Sequence, residues 1–314
     1  MKILIGHDGS QSADAALADL QRAGLPDEAE TLIVSVADVM MVSETPGYEL
    51  AAAALMSRRV ASGLASAQRQ TERVLKETKD FASRAGDRVR SYFPAWRVRA
   101  ETLAGPAAAE LIRKANDWKP DLIVVGSHGR SSVNRFILGS VSKKVVTDSS
   151  HSVRVSRGNT GRDLSKPPKV VIGVDGSLEA EQAIRTVGNR VWPHGTKVKI
   201  VTVDDGVSPR RIAQILPTAA EMIGSSKEEA VKKAQEMAQW AADELRVIGL
   251  GVSVVTEKGD PRRVLIDQAK AWDADSIFVG GRRFSSTLER LQLGSVATAL
   301  VTKAHCSVEV ARIE

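Results

Sequence analysis

This chain carries the same text twice, and that repetition limits its architecture more than any other feature. The stretch KILIGHDGSQSADAAL from Lys2 is answered by KVVIGVDGSLEAEQAI from Lys169, which pairs Asp8, Gly9 and Ser10 with Asp175, Gly176 and Ser177. Trp118, Asp121, Ile123, Val125 and Gly126 recur at the same spacing as Trp272, Asp275, Ile277, Val279 and Gly280. Leu138-Gly139-Ser140-Val141 matches Leu293-Gly294-Ser295-Val296. Each half then closes on a short apolar run after a histidine, HSVRV from His151 and HCSVEV from His305. Matched blocks in one order imply a duplicated unit, and 314 residues suit two domains of ~100–200 residues each. Between the copies, Ser156 to Pro168 is rich in Gly, Ser, Pro and charge and has no apolar periodicity, as expected of a linker. The units are therefore expected over residues 1–157 and 169–314, joined by 158–168.

Within one copy, short apolar runs alternate with helical patterns. Lys2–Ile5, Thr31–Val36, Trp96–Thr102, Asp121–Val125 and Val153–Val155 read as strands. Asp121–Val125 becomes apolar throughout after its first residue, the pattern of a strand buried on both faces. Ser10 is placed to cap a helix whose apolar face carries Ala13, Ala16, Leu17 and Leu20. A longer helix is predicted around Leu64, Ala67, Val74, Leu75, Phe81 and Ala82, another opens at Gly105-Pro106, and a last one starts near Ser140. The second copy repeats the scheme with strands at Val170–Gly173, Val198–Val203, Val252–Thr256 and Ser276–Val279, and a long helix through Val231, Ala234, Met237, Ala238, Ala241 and Leu245. Strict alternation predicts an α/β fold of two tandem doubly wound, Rossmann-like parallel-sheet domains.

In such sheets ligands bind beyond the carboxyl ends of the strands. In the first copy that places Asp8-Gly9-Ser10, after the first strand, beside Gly126-Ser127-His128-Gly129, after the fourth. Glycines at 126 and 129 let backbone approach a bulky anion. The helix start after Gly139 offers unpaired N–H groups and a favourable dipole to phosphate, and Ser140 and Ser142 add hydroxyl donors. Asp8 supplies a carboxylate for ribose hydroxyls or for a metal held on phosphate, and Val36 and Val125 supply apolar walls for a base. Taken singly, a glycine after a strand is a turn and Asp-Gly-Ser is a capping motif. The specificity lies in the set: Gly126-x-x-Gly129, nine residues, then Gly139-Ser140.

That set, together with an Asp after the first strand, resembles the ATP-binding motif of the universal stress proteins, and the duplicated chain resembles their tandem-domain (UspA-type) members, whose fold is adenine-nucleotide alpha-hydrolase-like. The resemblance covers nearly the whole chain apart from the linker. It implies an ATP-binding regulator of stress adaptation, with ATP accompanied by a divalent cation such as magnesium. Carried onto this sequence, it puts Asp8 and Gly9 by the nucleoside and Val36 and Val125 by the adenine. It lines the phosphates and ribose with Gly126, Ser127, His128, Gly129, Gly139, Ser140, Val141 and Ser142. The family's last strands often pair antiparallel across a pseudo-twofold axis, which implies that Val153–Val155 and Val308–Val310 join within one chain as a pseudo-dimer. A further homodimer is compatible with this. The alternative is an interaction scaffold of the same fold that works without nucleotide.

The second copy departs from the motif. From Gly280 it reads Gly-Gly-Arg-Arg-Phe-Ser-Ser, so the second motif glycine is replaced by Arg283, or by Phe284 when counted from Gly281. Gly280 and Gly294 are 14 positions apart, against 13 for Gly126 and Gly139, and Ala297 stands where Ser142 stood. Asp175, Gly280, Gly294 and Ser295 survive as candidate second-copy contacts. A bulky side chain in that loop is expected to obstruct a phosphate cradle, while Arg282 and Arg283 offer an anion a different pose.

Other chemistries lack their residues. No Gly-Lys-Ser/Thr follows a glycine loop, no Gly-x-Gly-x-x-Gly opens the first turn, and no Ser-Gly-Gly-x-Asp-Ser loop occurs. The histidines His7, His128, His151, His194 and His305 have no metal-ligand spacing, and no nucleophile stands near a base, so at most slow ATP hydrolysis is expected. Cys306 is the single cysteine, which excludes an intrachain disulfide and reads as a small core residue. A net charge of +6 is spread along the chain with 4% aromatics, which disfavours a nucleic-acid face. No run approaches the ~20 apolar residues of a membrane span and the N-terminus lacks a signal-peptide pattern, so a cytoplasmic protein is expected.

Overall fold

The structure, a computed structural model, describes residues 1–39, 58–129, 138–158, 163–205, 220–281 and 293–313, with backbone only over 58–65 and 220–227. The first copy contributes strands β1 (Lys2–Gly6), β2 (Glu30–Ala37), β3 (Arg97–Ala104), β4 (Leu122–Gly126) and β5 (Val153–Ser156). Its helices are α1 (Gln11–Asp19), α2 (Arg58–Tyr92), α3 (Ala107–Trp118) and α4 (Ser140–Asp148). The second copy contributes β6 (Lys169–Val174), β7 (Lys197–Asp204), β8 (Gly251–Lys258), β9 (Ser276–Gly280) and β10 (Ser307–Ala311). Between them lie α5 (Leu178–Gly188), α6 (Ala220–Val247), α7 (Pro261–Ala271) and α8 (Ser295–Lys303).

All ten strands form one sheet in the order β3-β2-β1-β4-β5-β10-β9-β6-β7-β8. Every pairing is parallel except β5 with β10, which is antiparallel. The alternating side chains of β1 explain the layers. Leu4 joins α3 and α4 through Leu111, Ala115, Val145 and Val146, while Ile3 and Ile5 face Leu17, Leu20, Ala85 and Val89 of the opposite layer. The first of these cores does not stop at the copy boundary: Val153 and Val155 pack in one apolar cluster with Ile277, Leu300, Val301, Val308 and Val310. Cys306 is buried just before β10. The long helix α2 buries Ala82, Ala85 and Val89, whereas Ala67, expected on its apolar face, is exposed, and the side chain of Leu64 lies outside the described residues. No helix among the described residues is long and apolar enough to cross a membrane.

The repeated Trp-x-x-Asp block has a structural cause. Asp121 accepts from the backbone N of Lys2 at 2.6 Å and Asp275 accepts from that of Lys169 at 2.7 Å, so each aspartate pins the start of its copy's first strand. The ammonium groups of Lys2 and Lys169 then sit over the rings of Trp118 and Trp272 at 5.6 and 5.8 Å.

At the seam, Arg154 faces Glu309 in the pairing register, and these are equivalent positions of the two copies. Both are fully buried. Arg154 donates to Glu309 at 3.3 Å and to Asp19 at 2.9 Å, and Glu309 also accepts from Arg190, so charges alternate along the row Asp19, Arg154, Glu309, Arg190. A second bridge ties the copies through Arg22, whose Nε lies 2.6 Å from Asp275 and whose Nη1 donates to the Lys166 carbonyl of the linker at 2.8 Å.

Candidate functional site

The turn after β1 is built by hydrogen bonds that the residue types dictate. Gly9 has φ +80, a left-handed value that favours glycine, and a Cβ there would lie 2.6 Å from the Phe81 ring. Ser10 caps α1 by accepting from Ala13 N at 3.1 Å. The Asp8 carboxylate accepts from Ser10 N at 3.0 Å through Oδ1. His7, which no motif singles out, organises the same turn. Its buried Nδ1 accepts from Gly9 N at 3.2 Å, and its Nε2 lies 3.2 Å from Asp14, which Arg88 also grips at 2.5 Å. Burial pulls the His7 imidazole below its ordinary value, an effect that the hydrogen bond and charge of Asp14 oppose. The neutral ring that burial favours keeps Nδ1 as an acceptor.

The loop after β4 meets this turn. A Cβ on Gly129 would lie 2.9 Å from Asp8 Oδ2, so the glycine brings backbone directly against the carboxylate. A Cβ on Gly139 would lie 3.3 Å from His128 Cα and 3.6 Å from Gly129 N, and Gly139 N donates to the Ser127 carbonyl at 2.8 Å. Gly129 is therefore in contact with Asp8 on one side and Gly139 on the other, although 130–137 lie outside the described residues. Ser127 is buried with its Oγ 2.8 Å from His128 Nδ1. Helix α4 begins at Gly139 with no side-chain cap, and Ser140 is exposed on its first turn beside Val141. Val36 is half-buried at the end of β2 and Val125 is buried at the end of β4.

Two residues in this set have jobs inside the fold. Gly126 was expected to admit an anion, yet its missing Cβ points at α1, where it would lie 3.1 Å from Ser12 Oγ and 3.2 Å from Ala13 N. The glycine allows the helix to close on the strand. Ser142 is buried and donates to the Gly126 carbonyl at 2.6 Å, which commits its hydroxyl to anchoring α4 on β4.

The second copy presents the same constellation around a cavity of about 440 Å³. Its walls include Asp175, Val203, Val279 and Gly280, the counterparts of Asp8, Val36, Val125 and Gly126. Gly294, Ser295, Val296 and Ala297 line it from α8 as Gly139 to Ser142 do from α4. Asp175 is exposed and its Oδ1 accepts from Ser177 N at 3.1 Å and Oγ at 2.5 Å. Gly176 has φ +79, and α8 starts at Gly294 without a side-chain cap. Gly280 again serves packing, because a Cβ there would lie 2.3 Å from the backbone of Glu179. Arg283 and Phe284, expected to obstruct the phosphate end, and Arg282, expected with Arg283 to offer an anion another pose, lie outside the described residues.

Comparison with known proteins agrees with this geometry. The Universal stress protein family matches the chain twice, over residues 1–157 and 167–312. A universal stress protein of Mycolicibacterium smegmatis is 25% identical over 99% of this chain and 96% of its own length. A universal stress protein of Methanocaldococcus jannaschii is 30% identical over 48% of this chain and 85% of its own length. In fold, the chain is similar to a universal stress protein from Archaeoglobus fulgidus, with a TM-score of 0.60 at 19% identity, covering 99% of this chain and 98% of that one.

Proposed function

The chain belongs to the universal stress protein family, and from that premise we propose that its N-terminal copy binds ATP and acts as a nucleotide-dependent regulator. The observation that carries this is Gly129, in contact with both Asp8 and Gly139 at an uncapped helix start. A carboxylate suited to hydroxyls, backbone free of side chains and a row of helix N–H groups meet at one point. ATP asks for that combination. Ribose hydroxyls have an acceptor in Asp8, the base has apolar walls in Val36 and Val125, and the phosphates have the amides from Gly129 and from Ser140 onward. Among the described residues no three His, Cys, Asp or Glu gather to hold a metal. A magnesium ion would accordingly be held mainly by the phosphates, with Asp8 the carboxylate at hand. The second cavity offers the same nucleoside walls, and its volume of about 440 Å³ falls within the ~300–1,000 Å³ of pockets that take small molecules.

Calorimetric titration of the full chain with magnesium and ATP tests the reading. The wild type binds; Gly129→Arg and Asp8→Ala abolish the N-terminal event; Asp175→Ala leaves it in place. Absence of binding by the wild type would overturn the proposal in favour of a nucleotide-independent scaffold.

A further inference from the structure

Helices α4 and α8 begin at the two clefts, and each ends against the other copy. Arg157 and Arg312 are equivalent residues, each following the last strand of its copy. Arg312 donates from Nη2 to the Val146 carbonyl at 2.6 Å and from Nη1 to the His151 carbonyl at 3.0 Å, reaching the end of α4 and the turn beyond it. Arg157 donates from Nη2 to the Val301 and Thr302 carbonyls at 2.7 and 2.9 Å, at the end of α8. Their backbones obey the same symmetry: Arg312 N donates to Ser152 Oγ at 3.0 Å and Arg157 N to Ser307 Oγ at 2.9 Å.

The physics of helix ends explains the choice of residue. The last four carbonyls of a helix have no partner within it, and the end carries partial negative charge. A guanidinium satisfies both with several donors in a fixed plane. Arg312 is buried, and its side chain lies against Gly281, the residue that follows Gly280 in the wall of the second cleft. A Cβ on Gly281 would lie 2.5 Å from Val310 Cγ1 and 3.3 Å from both Cγ and Nε of Arg312. Gly281 N in turn donates to the Ala311 carbonyl at 2.8 Å. A continuous path thus runs from Gly280 in the wall of the second cleft through Gly281 and Arg312 to α4. At ~1.5 Å per residue that helix is a rod of about 14 Å whose far end is the first cleft.

We infer that Arg312 and Arg157 are reciprocal positioning residues, each supplied by one copy to set the site helix of the other, and that Arg312 transmits the state of the second cleft to the first. This rests on the nucleotide reading for the first cleft. A rod fixed at one end fixes the other, so loosening the Arg312 contact shifts the α4 amides that face the ligand. Coupling by linkage then runs in both directions.

The test uses the full chain as wild type, Arg312→Gln, Arg312→Lys, Gly281→Ala, and Gly281→Ala combined with each Arg312 variant. Hydrogen exchange is measured without ligand over residues 138–148, and affinity for magnesium–ATP by calorimetry. The expected result for Arg312→Gln is faster exchange at the hydrogen-bonded amides of α4 from Lys143 onward and affinity weakened ~5-fold or more, with Arg312→Lys intermediate. The effect of Gly281→Ala on first-cleft affinity should disappear in the Arg312→Gln background. That non-additivity is something a merely structural arginine does not produce. If Arg312→Gln fails to fold, Arg312→Lys and its combination with Gly281→Ala carry the same comparison. Unchanged exchange in α4, with ATP affinity within twofold of a wild type that does bind, overturns the coupling and leaves the nucleotide reading standing. A wild type that does not bind ATP overturns both.

Discussion

The two copies share a scaffold and differ in how polar groups are spent on it. Both turn after the first strand on a glycine of nearly the same φ, +80 at Gly9 and +79 at Gly176, and both cap the next helix with serine. Both pin the first strand with an aspartate and a tryptophan. Beyond that they part. The first copy surrounds its turn with His7, Asp14 and Arg88 and anchors α4 with the Ser142 hydroxyl. The second has Val174 and Ala297 at the counterpart positions, where both line the open cavity. What stayed alike fixes backbone paths; what changed fixes the electrostatics of the cleft. The duplicated frame is kept while the polar groups beside it differ.

The largest expected break in this comparison lies at the seam. Glu309→Ala leaves the buried Arg190 without its carboxylate and Arg154 with Asp19 alone, and should lower unfolding stability by ~3–5 kcal/mol in urea titrations. Arg154→Ala should cost less, since Glu309 keeps Arg190. Next come the matched glycines. Gly280→Ala drives a methyl to 2.3 Å from helix backbone, against 3.1 Å from a rotatable hydroxyl for Gly126→Ala. The former should cost ~1–3 kcal/mol and the latter clearly less, read as a difference in Tm between the two variants. Ser142→Ala removes one hydrogen bond and should cost about 1 kcal/mol, while Ala297→Ser in the second copy should gain no comparable stability.

The smallest effect is one of pH. The folded His7 imidazole sits below its ordinary 6.5 because burial disfavours the charged form. The unfolded chain therefore binds the extra proton first as pH falls. The stability that neutral His7 contributes is complete above 6.5 and declines as pH drops below it toward the depressed folded value. His7→Val, which copies the second domain, should flatten that part of the stability profile, measured by denaturation between neutral and mildly acidic pH.

Much of this was legible in the residues. The repeat, the apolar runs and the capping serines marked out the two units, their strands and the parallel α/β sheets, because period and punctuation report directly on burial and turns; the antiparallel joint of β5 with β10 was implied by the family resemblance alone. The roles of Gly126 and Gly280 were not legible. A sequence shows that a side chain is missing but not which way it would have pointed, and both point into a helix. The hydrogen bond of Ser142 to the Gly126 carbonyl was hidden for the same reason, since a sequence does not show which way a hydroxyl faces. His7 gave no signal because its partners Asp14 and Arg88 come from different helices. Arg157 and Arg312 did leave a trace, a matched arginine two places past each closing run, but only the crossing of chains at β5 and β10 gives that trace a meaning.

One detail of the seam reaches beyond stability. Equivalent residues on a twofold axis meet their own kind when identical units associate, and here that would set arginine against arginine or glutamate against glutamate with no water between them. Like charges at ~4 Å repel strongly in so dry a place. With opposite signs at 154 and 309, each half meets at the seam a partner whose charge answers its own, a match that two identical edges would not provide.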